Sequence, residues 1–169
     1  MNPQFVPLPL TNYIHGKAAW AGIPLNGTFE LTPCCNMACK MCYVRKTKQE
    51  QETIAPLRTA EEWLRLGRIC REAGMLYLLI TGGEPFIRED LKEIVRELYK
   101  KSDRIVISTN GFFTDRIVDL CKEFPNIGIR ISIEGLEATN NEIRGLEDGF
   151  NRGYTTLKTL RKMGMKDVG

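Results

Sequence analysis

Three cysteines, Cys35, Cys39 and Cys42, lie on one short stretch with the spacing C-x3-C-x2-C. In a chain that does not begin like an exported protein, such a run is typical of a metal site rather than a disulfide framework. Thiolates ligate iron–sulfur clusters, and three of them can hold three irons of a four-iron cluster. The fourth iron then keeps an open coordination position, which a metal site needs in order to act on a bound molecule. The spacing therefore predicts a [4Fe-4S] cluster with chemistry at one iron.

Two other interpretations of these cysteines stay open: a metal-free group of buried thiols, and a structural zinc site. Zinc takes four ligands, commonly from two C-x2-C pairs. The chain has one histidine, His15, and no second cysteine pair, which disfavours zinc. Cys34, Cys70 and Cys121 lie outside the spacing. We expect these three to pack in the interior, because free cysteine is often buried.

Short apolar runs alternate with helical patterns along residues 27–169. Strands are predicted at 28–32, 75–80, 104–109 and 126–133, and helices at 59–74, 89–101, 114–124 and 154–163. Thr59 followed by Glu62 is a capping-box pattern at the start of the first helix. Strands that alternate with helices form β-α units around a parallel sheet, so the pattern predicts an α/β fold of about four such units. Residues 1–26 are expected to form an irregular N-terminal arm.

A polar motif follows each predicted strand. The cysteine stretch follows the first strand, Gly82-Gly-Glu-Pro85 the second, Ser108-Thr-Asn-Gly111 the third and Ser132-Ile-Glu-Gly135 the fourth. Ligands bind at the carboxyl ends of parallel strands, so the four motifs are expected to meet at one rim. In the fourth strand the isoleucines at 127, 129, 131 and 133 alternate with smaller or polar residues and should therefore pack on the helices.

At these motifs the sequence resembles the radical SAM superfamily. The resemblance rests on the cysteine spacing followed by the aromatic Tyr43, on the Gly-Gly-Glu segment and on the two later strand ends, all in the family's order. It implies a partial TIM barrel of parallel β-α units, with about four of the family's six units present. It also implies a radical SAM enzyme. In such an enzyme the reduced cluster gives one electron to S-adenosylmethionine, the carbon–sulfur bond breaks, and the 5′-deoxyadenosyl radical abstracts a substrate hydrogen.

The resemblance also implies roles for individual residues. Cys35, Cys39 and Cys42 would be the metal ligands. The segment Gly82, Gly83 and Glu84 would bind the methionine ammonium group, and Tyr43 would stack on or hydrogen-bond the adenine. The ribose and the carboxylate of S-adenosylmethionine would be bound by the remaining polar residues: Ser108, Asn110, Ser132, Glu134 and Arg144. Plain structural roles stay open for these residues, since Gly, Ser and Asn are common turn formers and arginine is common at surfaces.

The residues before and between the cysteines most resemble those of the branch of the superfamily with C-terminal SPASM or Twitch domains. That branch includes peptide and protein maturases and tetrapyrrole-modifying enzymes, so it implies a peptide, protein or tetrapyrrole substrate. An electron donor such as flavodoxin or ferredoxin is implied too. Further clusters of this branch need cysteines, and none follows Cys121. The chain also stops where a fifth strand should begin, at 165–169, so the core at 27–169 is expected to be C-terminally incomplete. The competing class is an iron–sulfur electron carrier or a non-catalytic cluster-binding module, which has no need for Gly-Gly-Glu beside its cluster.

Composition narrows the possibilities further. The 169 residues are 43% hydrophobic and 27% charged, as in an ordinary globular domain. A net charge of +3 without a basic block disfavours nucleic acid as a partner. No apolar stretch approaches the ~18 residues that span a bilayer. The first residues lack the charged segment of a signal peptide, so a cytoplasmic location is expected, where thiols stay reduced.

Overall fold

The computed structural model describes residues 22, 26–44, 58–100 and 104–169, and all structural statements below refer to these residues. Its elements, in chain order, are β1 (Asn26–Glu30), α1 (Ala60–Glu72), β2 (Tyr77–Thr81), a 3-10 turn (Pro85–Ile87), α2 (Leu91–Tyr99), β3 (Arg104–Thr109), α3 (Thr114–Glu123), β4 (Gly128–Ile131), α4 (Glu137–Arg144) and α5 (Gly149–Lys162). The predicted α/β fold is confirmed. The predicted arm at 1–26 lies, except for residues 22 and 26, outside the described residues.

The four strands form one parallel sheet in the order β1-β2-β3-β4. One row of paired residues crosses the whole sheet, from Thr28 through Leu79 and Val106 to Gly128. Beyond β4, Ile129 forms a parallel bridge with Val168, and the backbone N–H of Ile129 donates to the Asp167 carbonyl at 2.9 Å. Residues 167–169 thus begin a fifth strand, where the sequence predicted one, and the architecture is that of a partial barrel.

One face of the sheet is covered by helices and holds the core. Ile127, Ile129 and Ile131 are buried, as the alternation in the fourth strand predicted. They belong to one cluster of apolar side chains that includes Leu120 of α3 and Leu160 of α5. Burying an isoleucine of this kind contributes about 1.5–3 kcal/mol. This layer fixes the strands, and with them the rim at which the polar motifs end.

The helix boundaries show where local pattern sufficed and where it did not. The capping box at the start of α1 is formed: the Thr59 N–H donates to the Glu62 carboxylate at 2.7 Å, and the Glu62 N–H to the Thr59 hydroxyl at 3.2 Å. Helix α4 was not predicted, because Asn140 is the one buried residue among its eight and no apolar stripe marks it. Helix α5 begins at Gly149, five residues before the predicted 154. None of the described helices is long and apolar enough to cross a membrane.

Candidate cluster and cofactor site

The turn after β2 fastens the start of the cysteine loop, residues 34–42. The Gly83 N–H donates to the Thr32 carbonyl at 2.6 Å, and the Glu84 N–H to the Cys34 carbonyl at 2.8 Å. A Cβ on Gly83 would lie 2.1 Å from that Cys34 oxygen, and one on Gly82 would lie 2.5 Å from the Thr32 oxygen. Only glycine permits so close an approach. The glycine pair therefore joins two backbones, a role that the sequence alone did not separate from ligand binding.

The end of α4 fastens the second half of the cysteine loop. The Ala38 N–H donates to the Arg144 carbonyl at 3.2 Å, and the Lys40 N–H to the Ile143 carbonyl at 2.9 Å. Gly145 ends the helix in the left-handed conformation, with φ of 64°. A Cβ at this glycine would lie 2.7 Å from the Ala38 carbonyl oxygen. The cysteine loop is thus held between the β2 turn and the end of α4.

A cavity of about 290 Å³ opens beside the cysteine loop at the carboxyl ends of the strands. Its wall contains the three predicted ligands and most of the predicted cofactor-binding residues, namely Cys35, Cys39, Cys42, Tyr43, Gly82, Gly83, Ser108, Asn110, Ser132 and Arg144. Glu84 and Glu134 are the two predicted site residues that do not line it. The structure therefore brings the four motifs to one rim, and the roles of the individual residues stay predictions.

Glu84 lies beneath the cavity. Its side chain is 0% exposed. One carboxylate oxygen accepts hydrogen bonds from the Thr109 hydroxyl at 2.8 Å and the Phe86 N–H at 3.1 Å, and the other accepts one from the Asn110 N–H at 2.7 Å. Burial raises the pKa of this carboxyl, and the three hydrogen bonds oppose the rise. Glu84 thus joins the ends of β2 and β3 without lining the cavity, and its predicted contact with the methionine ammonium group stays a prediction.

Asn110 lies between this carboxylate and the first cysteine. It is 6% exposed. Its side-chain Nδ2 donates to Asn36 Oδ1 at 2.8 Å and approaches Cys35 Sγ at 3.8 Å. Its Oδ1 accepts from the Phe112 N–H at 2.9 Å. The residue that the sequence assigned to ribose therefore also contacts a predicted cluster ligand.

Arg144 and Glu134, both predicted to bind the ligand, form an ion pair with each other. The Arg144 side chain is 11% exposed, which excludes the alternative of an ordinary surface arginine. Its Nη1 lies 3.7 Å from Cys39 Sγ, and its buried Nε has no hydrogen-bond partner within the described part of the chain. The Glu134 N–H is held by Asn140 Oδ1 at 2.9 Å. Sequence reasoning missed Asn140, although an asparagine in the first turn of a helix is a known partner for nearby backbone N–H groups.

Tyr43 stands at the mouth of the cavity and is 83% exposed. Its hydroxyl donates to Glu30 Oε1 at 3.1 Å, and this hydrogen bond raises the pKa of the tyrosine. Ser108 and Ser132 also line the cavity, on neighbouring strand ends, where the Ser132 N–H donates to the Thr109 carbonyl at 2.9 Å. These positions leave an aromatic ring and two hydroxyl groups around one cavity.

The residues present fit an iron–sulfur cluster. No three His, Cys, Asp or Glu side chains among the described residues form a site for a single metal ion. A four-iron cluster makes a different demand, since each of its thiolates binds a different iron. The cavity offers three thiols beside the buried Nε of Arg144, which has no hydrogen-bond partner among the described residues. Burial raises the pKa of the Cys35 thiol, and the nearby Glu84 carboxylate adds to the rise, so iron binding must displace its proton.

Comparison with known proteins identifies the family. The protein-family model of the Radical SAM superfamily matches residues 29–169 of the sequence. The chain belongs to this superfamily of radical SAM enzymes. Sporulation killing factor maturation protein SkfB of Bacillus subtilis is 28% identical over 139 residues, which are 82% of this chain and 33% of that protein. Fe-coproporphyrin III synthase of Methanosarcina barkeri is 30% identical over 141 residues, 82% of this chain and 34% of the relative.

Solved structures share the fold. Streptococcus suis SuiB bound to S-adenosylmethionine superposes with a TM-score of 0.75 at 20% identity, over 96% of this chain and 39% of that chain. SuiB bound to its precursor peptide SuiA gives 0.74 at 21% identity, over 93% and 36% of the two chains. The fold is thus that of a radical SAM barrel, and the chain spans about a third of the length of the curated relatives named above.

Proposed function

We propose that this chain is the cofactor-binding core of a radical SAM enzyme that holds a [4Fe-4S] cluster on Cys35, Cys39 and Cys42 and cleaves S-adenosylmethionine reductively. The observation that carries the proposal is the single cavity in which the three cysteines meet the polar ends of β2, β3 and β4. When bound, the cluster supplies one electron to the sulfonium of S-adenosylmethionine, which leaves methionine and a 5′-deoxyadenosyl radical for hydrogen abstraction.

The protein's own residues bind and orient the cofactor in this proposal. Glu84 and the backbone of Gly82 and Gly83 would position the methionine end of the cofactor. The free Nε of Arg144 is a buried cationic donor without a partner among the described residues, and it suits the carboxylate. Ser108 and Ser132 offer hydroxyl groups to the ribose, and the exposed ring of Tyr43 offers a stacking face to the adenine. The walls of the complete barrel would have to exclude water from the reacting atoms.

The alternative class, an electron carrier or a passive cluster-binding module, is less well supported. A carrier gains nothing from an open cavity beside its cluster. Here the wall of the cavity of about 290 Å³ includes hydroxyl, amide and guanidinium groups together with the three cysteines. A few convergent polar groups in a concave site are typical of a small-molecule site.

The substrate and partners extend the proposal. We place the chain in the SPASM or Twitch branch, acting on a peptide, a protein or a tetrapyrrole. The named relatives support these classes, since one is a maturation protein for a killing factor and the other a synthase of Fe-coproporphyrin III. A low-potential donor such as flavodoxin or ferredoxin would reduce the cluster in the cytoplasm. The sequence match does not choose among the substrates, because identity to each relative is 30% or less.

Anaerobic reconstitution tests the proposal. The chain is loaded with iron and sulfide, reduced with dithionite and examined by electron paramagnetic resonance with and without S-adenosylmethionine. We expect a four-iron signal that changes when S-adenosylmethionine is added, and 5′-deoxyadenosine in the products by chromatography. Cys35→Ser should abolish both, whereas Cys34→Ser, a neighbour outside the ligand spacing, should retain them.

Each contrary outcome has a distinct meaning. A four-iron signal that is indifferent to S-adenosylmethionine would favour the carrier class. A chain that takes up zinc and no iron would overturn the proposal altogether. Loss of the signal in Cys34→Ser but not in Cys35→Ser would show that the ligand set is assigned wrongly.

A further inference from the structure

Two side chains direct N–H groups at two of the predicted ligands. Asn110 Nδ2 lies 3.8 Å from Cys35 Sγ, and Arg144 Nη1 lies 3.7 Å from Cys39 Sγ. Both distances are within the range of hydrogen bonds to sulfur. The donors reach the cysteine loop from different elements, Asn110 from the end of β3 and Arg144 from the end of α4.

Both donor residues are held in place by further hydrogen bonds to the surrounding chain. The backbone N–H of Asn110 is bonded to the Glu84 carboxylate at 2.7 Å, and its Oδ1 accepts from the Phe112 N–H at 2.9 Å. Arg144 pairs with Glu134 through Nη2, and its backbone carbonyl accepts from the Ala38 N–H at 3.2 Å. Each residue is therefore held by neighbouring segments of the chain, while one N–H group of its side chain faces a sulfur.

The surroundings make these contacts stronger than they would be in water. Asn110 is 6% exposed and the Arg144 side chain 11% exposed. A hydrogen bond or a charge acts more strongly where water is excluded. Reduction adds one negative charge to a cluster, and hydrogen bonds to its sulfurs together with nearby charge set its reduction potential. A donor or a cation at a ligand sulfur stabilises the more negative, reduced form.

We infer that Asn110 and Arg144 are positioning residues that raise the reduction potential of the cluster, through N–H groups on the sulfurs of Cys35 and Cys39. This inference rests on the cluster proposed above and adds a role to the cofactor-binding roles predicted for the two residues. Arg144 should have the larger effect, because its donor group is charged, whereas the amide of Asn110 is neutral. These two N–H contacts would favour the one-electron reduction of the cluster that precedes cleavage of S-adenosylmethionine.

The test is a potentiometric titration of the reconstituted full chain without S-adenosylmethionine, followed by electron paramagnetic resonance. Leaving S-adenosylmethionine out separates contacts to sulfur from contacts to the cofactor. Asn110→Leu removes the amide at similar size, and Arg144→Met removes the guanidinium while keeping a long apolar stem. Each should lower the midpoint potential, with Arg144→Met giving the larger shift and Arg144→Lys, which keeps the charge, an intermediate one.

Matched controls come from α5. Arg152→Met removes a half-exposed arginine that pairs with Asp148, and Asn151→Leu removes an exposed asparagine that bonds to Glu137. Neither contacts a cysteine in the described structure. We expect both controls to keep the potential of the unsubstituted chain. Equal potentials in Asn110→Leu, Arg144→Met and the unsubstituted chain would overturn the inference while leaving the proposed function intact.

A second measurement needs no substitution at the site and covers variants that fail to load iron. The chain labelled with 15N-arginine is reduced, and nitrogen couplings to the cluster are sought by pulsed electron paramagnetic resonance. A coupling that shows an arginine nitrogen near the cluster supports the inference, and its absence overturns the Arg144 part. If the unsubstituted chain binds no four-iron cluster at all, the proposed function and this inference fail together.

Discussion

Replacing Gly83 with alanine tests whether the β2 turn holds the cysteine loop in place. The new Cβ would lie 2.1 Å from the Cys34 carbonyl oxygen and 2.8 Å from the Pro33 oxygen. These atoms belong to backbone, so no side chain can rotate away to relieve the overlap. To lengthen the first contact from 2.1 Å to 3.0 Å, the two backbones must part by roughly 0.9 Å.

The cost follows from the hydrogen bonds that cross this contact. The Gly83 N–H to Thr32 and the Glu84 N–H to Cys34 measure 2.6 Å and 2.8 Å, and the separation would stretch both beyond a normal length. Each such bond contributes about 0.5–1.5 kcal/mol net, so the two together give roughly 1–3 kcal/mol. Overpacking of a filled site costs a similar ~1–3 kcal/mol. We therefore expect Gly83→Ala to lower the free energy of unfolding by about 2 kcal/mol.

Urea denaturation of both chains measures this difference, and iron content after reconstitution measures its effect on the site. Gly149→Ala is the matched control, because a Cβ there meets nothing closer than 3.6 Å. That substitution lies at the start of α5 and should leave stability unchanged or raise it by about 0.4–1 kcal/mol. If Gly83→Ala unfolds at the same urea concentration as the unsubstituted chain and binds iron equally well, the β2 turn does not hold the cysteine loop as we argue.

Two further predictions concern stability. Because burial raises the pKa of Glu84 in the folded chain, its contribution is fully present below its ordinary pKa of 4.5 and is lost as the pH rises through the folded pKa. The stability of the chain relative to Glu84→Gln should therefore fall with rising pH above 4.5, and urea titrations that show the opposite trend would contradict the assignment. Thr59→Ala removes the hydroxyl that caps α1 and should cost about 1 kcal/mol in thermal or urea unfolding, whereas no loss would mean that the capping box is not formed in solution.

Local pattern was enough for the framework of this chain. The apolar run before Gly82 predicted a buried strand, and the alternation around Ile129 predicted which face meets the helices. Thr59 and Glu62 predicted a helix start from two side chains that need only each other. In all these cases the pattern that predicts the structure lies within a few residues along the chain.

Where distant contacts decide, the sequence alone was insufficient. Gly153 weakens α5 by propensity, but a Cβ there would make a tight contact of 3.3 Å with the Asn110 carbonyl oxygen. The position of Glu84 after two glycines at a strand end predicted a carboxylate at the rim. In the structure its side chain is buried and accepts hydrogen bonds from Thr109 and Asn110. The contacts of Asn110 and Arg144 with cysteines span 75 and 105 residues, a range that no periodicity can indicate.

The hydrogen bonds that hold the cysteine loop join residues that are far apart in the sequence, and this sets an order of events during synthesis. A ribosome makes the N-terminal part of a chain first, so Cys35, Cys39 and Cys42 emerge long before Gly83 or Arg144 exists. The strands can pair one after another as they appear, since each neighbours its predecessor. The contacts of the cysteine loop with Ile143 and Arg144 cannot form until α4 has been synthesised, so the thiols remain open to oxidation until then. For the proposed cluster, iron should therefore arrive late, after α4 has been translated.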